Sequence, residues 1–161
     1  MWFWSSELER FVQARRKVTI KYINDEQPRL TALKTGEWID LRASESYEYK
    51  AGEAFLINLG VAMQLPVGYE AFLLPRSGTF HKYGIFQING MGIIDNKFCG
   101  DNDIWQMPVY ALRDGKIEKH ARVCQFRIME SMHLAYPYDF VEVNTLGNKD
   151  RGGLWEQESS D

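Results

Sequence analysis

The sequence has few of the features that mark secreted, disulfide-rich or membrane-spanning proteins. Its 161 residues include two cysteines, Cys99 and Cys124, which are too few for a disulfide framework and lack metal-ligand spacing. We therefore expect reduced thiols and a cytoplasmic location. No apolar run approaches the roughly 20 residues of a membrane helix. The first residues, MWFW, lack the basic start and the longer apolar run of a signal peptide.

The chain also has no surplus of positive charge. It carries 19 lysines and arginines against 22 aspartates and glutamates, a net charge of -3. A nucleic-acid surface needs a dense basic face to neutralise phosphates. The densest basic run here is RRK at 15–17, which a solvated strand edge explains equally well. We expect neither a nucleic-acid nor a membrane partner.

The apolar residues that are present follow the spacing of strands. Val18, Ile20 and Tyr22 alternate with polar residues, as in a half-buried strand. Short apolar runs then alternate with turn residues to about residue 143, and Asp114-Gly115 is a hairpin signal. This pattern predicts an all-β barrel or jelly-roll-like sandwich with little helix.

The two ends of the chain differ from this middle part. Residues 1–16 are predicted to be an N-terminal extension, which is either one short helix over 5–16 or a loosely held segment. Residues 17–146 would form the β domain. The polar residues 147–161 would form a mobile C-terminal tail.

Two short segments carry the residues best suited to phosphate chemistry. GIID at 92–95 places the Asp95 carboxylate at the end of an apolar run, where it can activate a water molecule. PRSG at 75–78 places Arg76 in a turn beside Ser77 and Gly78, and a guanidinium donates two parallel hydrogen bonds to phosphate. Taken alone, Asp95 could equally cap a turn and Arg76 could be an ordinary surface side chain.

The residues around Asp95 suit a nucleoside. Gly90 and Gly92 allow the backbone to approach a ligand closely. Asn89 offers hydrogen-bond donors and acceptors to the edge of a heterocycle. Phe98 offers a ring face against which a sugar can lie.

Taken together, these segments resemble the trimeric dUTPase family from about residue 20 to 153. The five motifs appear, in order, as WIDLRA (38–43), PRSGT (75–79), NGMGIID (89–95, continued by FCGD), RVCQF (122–126) and DRGG (150–153). Segments GDND (100–103) and YALRD (110–114) are most similar to the Gram-positive bacterial and phage branch.

The resemblance implies a β-clip, dUTPase-like jelly roll that assembles into homotrimers, with active sites at subunit boundaries. It implies hydrolysis of dUTP to dUMP and pyrophosphate, with Mg²⁺ bound mainly by the triphosphate. By position, the resemblance implies that Asp95 is the base for the attacking water and that Phe98 contacts the deoxyribose. It implies uracil contacts from Asn89, Ile93 and Ile94, and phosphate contacts from Arg76, Ser77, Gly78, Gln125 and Arg151. Asp40 would lie in the metal's water shell or act as a structural anchor.

The chain departs from the family pattern at four places. Phe98 stands where the family usually has Tyr, and His120-Ala121 replaces the usual Gly-Asp, which we expect to alter local structure more than chemistry. An aromatic lid is missing near Gln106, although Trp105 is adjacent. The fifth motif continues as LWEQESSD (154–161), which places acidic residues where a triphosphate would lie and offers Trp155 either as a substitute lid or as an aromatic without a role.

Two other functions remain as alternatives. The altered tail favours a catalytically weak nucleotide binder that acts through a regulatory protein partner. A dCTP deaminase of the same fold would need a glutamate on the strand after the Asp motif, and IWQMP (104–108) contains none.

Overall fold

The computed structural model describes residues 16–31, 38–132 and 140–148. Within them the chain forms eleven strands and one short helix. The strands are β1 Thr19–Tyr22, β2 Ile39–Arg42, β3 Tyr47–Tyr49, β4 Ala54–Asn58, β5 Val61–Gln64, β6 Tyr69–Pro75, β7 Ile85–Gln87, β8 Gly92–Ile94, β9 Gln106–Ala111, β10 Gly115–Ile117 and β11 Arg122–Glu130; the helix α1 spans Thr79–Tyr83. The predicted all-β class with little helix is confirmed.

The strands pair antiparallel in four sheets. The largest has the order β2-β11-β6-β8, and the second has the order β4-β9-β7. β1 pairs with β5, and β10 pairs with β3. Because β11 runs between β2 and β6, it brings the first, second and fourth motif segments onto one sheet.

The core lies where side chains of the two larger sheets meet. Trp105, just before β9, is fully buried, and its ring packs edge-on against Phe126 of β11 with 5.2 Å between centroids. Along β9, Met107, Val109 and Ala111 are buried while the residues between them are more exposed. This alternation is the pattern expected of strands that turn one face to a core.

The hairpin predicted at Asp114-Gly115 is wrong. β9 pairs with β4 and β7, whereas β10 pairs with β3. Gly115 does not adopt the positive φ of a tight hairpin turn; a Cβ there would lie 2.6 Å from the Tyr49 hydroxyl, so the glycine permits close packing instead. Asp114 accepts hydrogen bonds from the Ala51 N–H and from Lys50 Nζ, both at 2.9 Å.

Most of the two predicted terminal segments lies outside the described residues. This applies to the alternatives for 5–16, to Trp155 and to Arg151. The domain boundaries at 16/17 and 146/147 therefore stay predictions. In the described part of the chain, no helix is long and apolar enough to cross a membrane.

Candidate active site

Most of the predicted site residues that the structure describes lie in two groups, one near each end of β6, and Arg122 joins the first of them. We call the first the arginine cluster: Asp40, Arg76, Gly78, Arg122 and Gln125. We call the second the acid pocket: a cavity of ≈ 400 Å³ lined by residues that include Ile93, Ile94, Asp95 and Phe98.

Asp40 organises the arginine cluster. Its Oδ1 accepts a hydrogen bond from Arg76 Nε at 2.7 Å, and its Oδ2 accepts one from Arg122 Nη1 at 3.1 Å. Asp40 on β2 is directly opposite Gln125 on β11, and Gln125 Nε2 donates to the Pro75 carbonyl at 3.4 Å. Arg76 uses its Nε for Asp40. Its terminal nitrogens have no hydrogen-bond partner among the described residues, so they can bind an anion.

The turn that carries Arg76 is fixed by Thr79. Its hydroxyl oxygen accepts the Arg76 N–H at 3.1 Å and donates to the Val123 carbonyl at 2.7 Å. Thr79 is buried, whereas Ser77 and Gly78 are exposed. A cavity of ≈ 120 Å³ is lined by Arg76, Gly78 and Arg122 together with Thr79, Lys82 and Tyr83. The cavity therefore has three cationic side chains in its wall.

Asp95 is the carboxylate of the acid pocket and is exposed at its edge. Its Oδ1 accepts the Lys97 N–H at 2.7 Å and the Phe98 N–H at 3.2 Å. These bonds form the turn cap that the sequence offered as an alternative, yet they occupy only Oδ1. Among the described residues nothing donates to Oδ2, so this oxygen can accept a proton from water.

Phe98 and two isoleucines give the pocket its apolar surface. Phe98 is 42% exposed and Ile93 is 61% exposed, and both line the pocket, where they can contact a ligand. Leu56, Ile104 and Pro108 complete the apolar wall, beside Trp105 and Gln106. The surroundings suit a flat ring with few charges.

Asn89 is held next to this pocket rather than in its wall. The buried Gln87 donates from Nε2 to Asn89 Oδ1 at 2.8 Å and to the Leu73 carbonyl at 3.2 Å. The Ile88 N–H donates to the carbonyl of Pro108, a pocket residue, at 3.1 Å. Gly90 has a φ of 68°, which allows the tight turn after Asn89.

The two groups lie apart along β6. β8 pairs with β6 so that Ile94 is opposite Ala71, and Asp95 lies beyond that pair. Arg76 is five residues from Ala71 in the other direction, which at the rise of a strand is about 17 Å. The register therefore places Asp95 and Arg76 toward opposite ends of β6.

Some site residues were not predicted from the sequence. Arg122 lies in the RVCQF motif and Thr79 in the PRSGT motif, so the sequence pointed to both segments. Their roles could not be predicted, because they depend on contacts with Asp40 and Val123. Leu56, Ile104 and Pro108 line the acid pocket and gave no local signal. In the described ranges no group of three His, Cys, Asp or Glu side chains is placed to bind a metal ion.

Fold and geometry define an all-β protein with a carboxylate beside an apolar pocket and a separate cluster of arginines. The dUTPase family model matches residues 38–155. The SPbeta prophage-derived deoxyuridine 5'-triphosphate nucleotidohydrolase of Bacillus subtilis is 51% identical over 137 residues, covering 85% of this chain and 94% of the relative. That of Clostridium acetobutylicum is 34% identical, covering 71% and 75%. The chain belongs to the dUTPase family and is an enzyme of that family.

Solved structures agree on the jelly-roll fold. The Streptococcus mutans dUTPase has a TM-score of 0.60 at 26% identity, covering 70% of this chain and 94% of the other. A dUTPase of Staphylococcus bacteriophage 80alpha, solved with dUpNHpp, has a TM-score of 0.67 at 18% identity, covering 85% and 94%. The phage phi11 dUTPase, with a TM-score of 0.65 at 16% identity over 81% and 99%, coordinates a structural Mg(II) ion. The predicted similarity to dUTPases of Gram-positive bacteria and their phages is confirmed.

Proposed function

We propose that this enzyme hydrolyses dUTP to dUMP and pyrophosphate by attack of one water molecule on the α-phosphate. The observation that carries the proposal is the free Oδ2 of Asp95 beside the acid pocket. The two backbone hydrogen bonds to Oδ1 hold the carboxylate in place before substrate arrives. A base aligned in advance contributes typically ~10²–10⁴-fold to the rate.

Recognition of the nucleoside belongs to the acid pocket in this proposal. The backbone of Ile93 and Ile94, together with Asn89, would read the uracil edge. Phe98 would lie under deoxyribose and exclude a 2′-hydroxyl. Its exposed ring in the pocket wall supports this role.

The triphosphate would be held by the arginine cluster of another copy. Phosphoryl transfer needs positioning and charge neutralisation more than covalent help. Arg76, Ser77, Gly78 and Gln125 would bind the phosphates, and Arg151 would join them from the tail. The separation of Asp95 and Arg76 along β6 supports a homotrimer with shared sites.

Magnesium fits this cluster only as an ion held mainly by substrate and water. Both oxygens of Asp40 already accept hydrogen bonds from guanidinium groups, so Asp40 would reach the ion through water. Mg²⁺ usually keeps several waters and few protein ligands. When bound, it would neutralise charge on the phosphate oxygens.

Asp95→Asn tests the base directly. Asparagine keeps an oxygen for the Lys97 and Phe98 N–H groups but accepts no proton, so we expect kcat to fall by ~10²–10⁴ with little change in KM. Steady-state hydrolysis of dUTP is the measurement. Asp101→Asn is the matched control because its carboxylate is 84% exposed and lies outside the pocket wall. Normal turnover by Asp95→Asn would remove Asp95 from this role.

A regulatory protein partner remains a second candidate because the tail is acidic at Glu156, Glu158 and Asp161. If the protein acts only through such a partner, wild-type turnover of dUTP should be no higher than that of Asp95→Asn. Deamination of dCTP is disfavoured since Asp95 is the one carboxylate among the described residues that line the pocket. A cytoplasmic location stays part of the proposal.

A further inference from the structure

A third cavity, which shares Asp40 and Arg122 with the arginine cluster, has a charge imbalance that dUTP hydrolysis does not explain. It measures ≈ 210 Å³, and its wall includes Gln27, Arg29, Asp40, Arg42 and Arg122. Asp40 is the one carboxylate among the described residues of this wall. It is already shared between Arg76 and Arg122.

Two of these arginines face each other across neighbouring strands. Arg42 on β2 is paired directly with Arg122 on β11. The register shifts between Arg122 and Cys124, so the bulge at Val123 brings Arg122 opposite Arg42. Like charges directly opposite in a sheet are destabilising. An anion bound between the two guanidinium groups would attract both of them and so offset their repulsion.

The donors needed to bind such an anion are available. Arg42 spends Nη1 on the His120 carbonyl at 2.7 Å, and its Nε and Nη2 have no partner within the described ranges. Arg122 likewise uses only Nη1, for Asp40. Arg29 is different, because it bonds to the carbonyls of Asn24 and Gln27 and pairs with Asp25. Arg42 and Arg122 are therefore the pair with unused donors.

Gln27 lies in the same wall but offers no group to an anion. The residue is only 3% exposed, and its Nε2 donates to the Leu59 carbonyl at 3.3 Å. Its Oε1 is buried, and a Cβ at Gly60 would lie 2.6 Å from it. The contacts to an anion would therefore come from Arg42 and Arg122.

We infer that this cavity is a second anion site, adjoining the arginine cluster, that takes a phosphate-class oxyanion between Arg42 and Arg122. Inorganic phosphate and pyrophosphate share the required chemistry: tetrahedral oxygens for the guanidinium forks. Arg122 belongs to both this cavity and the arginine cluster, so occupancy of one would be felt at the other.

The test is calorimetric titration of the full chain with phosphate, and separately with pyrophosphate, with chloride replacing the anion at constant ionic strength. Arg42→Gln should weaken phosphate binding by about tenfold or more, since it removes charged hydrogen bonds. Lys116→Gln is the matched control: it removes one positive charge outside both cavities and should bind phosphate as the wild type does. Arg76→Lys removes the guanidinium fork of the arginine cluster, so it should weaken phosphate binding there and leave the Arg42-dependent binding in place.

The inference is overturned by no phosphate binding to the wild type, by equal binding to the wild type and Arg42→Gln, or by loss of all phosphate binding in Arg76→Lys. The last would place the anion in the arginine cluster. Arg42→Lys guards against misfolding of Arg42→Gln. It keeps the charge without the fork and should bind phosphate more weakly than the wild type while its thermal unfolding is unchanged. Pyrophosphate binding without phosphate binding would also count against the inference.

Discussion

Asp40 shows how much one carboxylate can organise. By accepting from both Arg76 and Arg122, it holds two like charges on the same side of a sheet and leaves the outer nitrogens of Arg76 for a substrate. The pair with Arg76 joins residues 36 positions apart in the chain. The sequence identified Asp40 as an anchor or a water-shell residue, but the partner could not be read locally because it depends on strand pairing.

His120 has a backbone conformation that usually requires glycine. It has a φ of 66°, the left-handed region that side chains with a Cβ avoid, and its N–H donates to the Ala43 carbonyl at 2.8 Å. The sequence showed that a glycine is missing here. The structure shows that the backbone nevertheless takes the turn, so the residue is strained.

Replacing His120 by glycine should therefore stabilise the fold. Relief of the left-handed strain, less the greater chain entropy of glycine, amounts to about 0.5–1 kcal/mol in the free energy of unfolding. Urea denaturation would measure it. His120→Ala keeps the Cβ and so should not give this gain; equal stabilisation by both variants would mean that the buried Nε2, not the backbone, is the source.

At the scale of elements, local pattern predicted where strands lie but not which strands pair. Val18 to Tyr22 and Val123 to Met129 correspond to β1 and β11, because alternation and apolar runs are properties of the segment itself. The pairing of β10 with β3 joins distant segments, so the Asp114-Gly115 signal gave the wrong partner. The same limit applies to the site: the residue types were predictable, whereas the positions of Arg76 and Asp95 at two ends of β6 required the sheet register.

Thr79 ties two elements together and offers a test at this scale. Thr79→Val removes the hydroxyl that joins the Arg76 N–H to the Val123 carbonyl, leaving two polar groups without their partner. We expect a loss of about 2 kcal/mol in the free energy of unfolding and a higher KM for dUTP, because the PRSG turn loses its anchor. Thermal denaturation and steady-state kinetics measure both. Thr79→Ser keeps the hydroxyl and should restore them; a valine variant with normal KM would show that the turn is held in other ways.

At the scale of the whole molecule, the proposed function requires assembly for the acid pocket and the arginine cluster to form one site. Within one chain, the strand register keeps the Asp95 carboxylate and the Arg76 guanidinium apart. The homotrimer with shared sites is a proposal. It makes a prediction that does not follow from the acid pocket or the arginine cluster alone.

Mixing two inactive variants should restore activity. In co-expressed Asp95→Asn and Arg76→Gln chains, some sites would combine an intact Asp95 from one copy with an intact Arg76 from another. We expect the mixture to hydrolyse dUTP faster than either variant alone, with sedimentation showing a trimer. A mixture no more active than its components, although mixed trimers form, would show that both groups come from the same chain.

In the proposed trimer, the separation of Asp95 and Arg76 along β6 also sets a lower limit on the concentration at which the enzyme works. An enzyme whose active site lies inside one chain keeps its specific activity on dilution. In the proposed trimer every active site needs more than one chain, so below the dissociation threshold turnover per chain should fall more steeply than concentration itself. The concentration of the chain would then regulate the rate of dUTP hydrolysis without any effector.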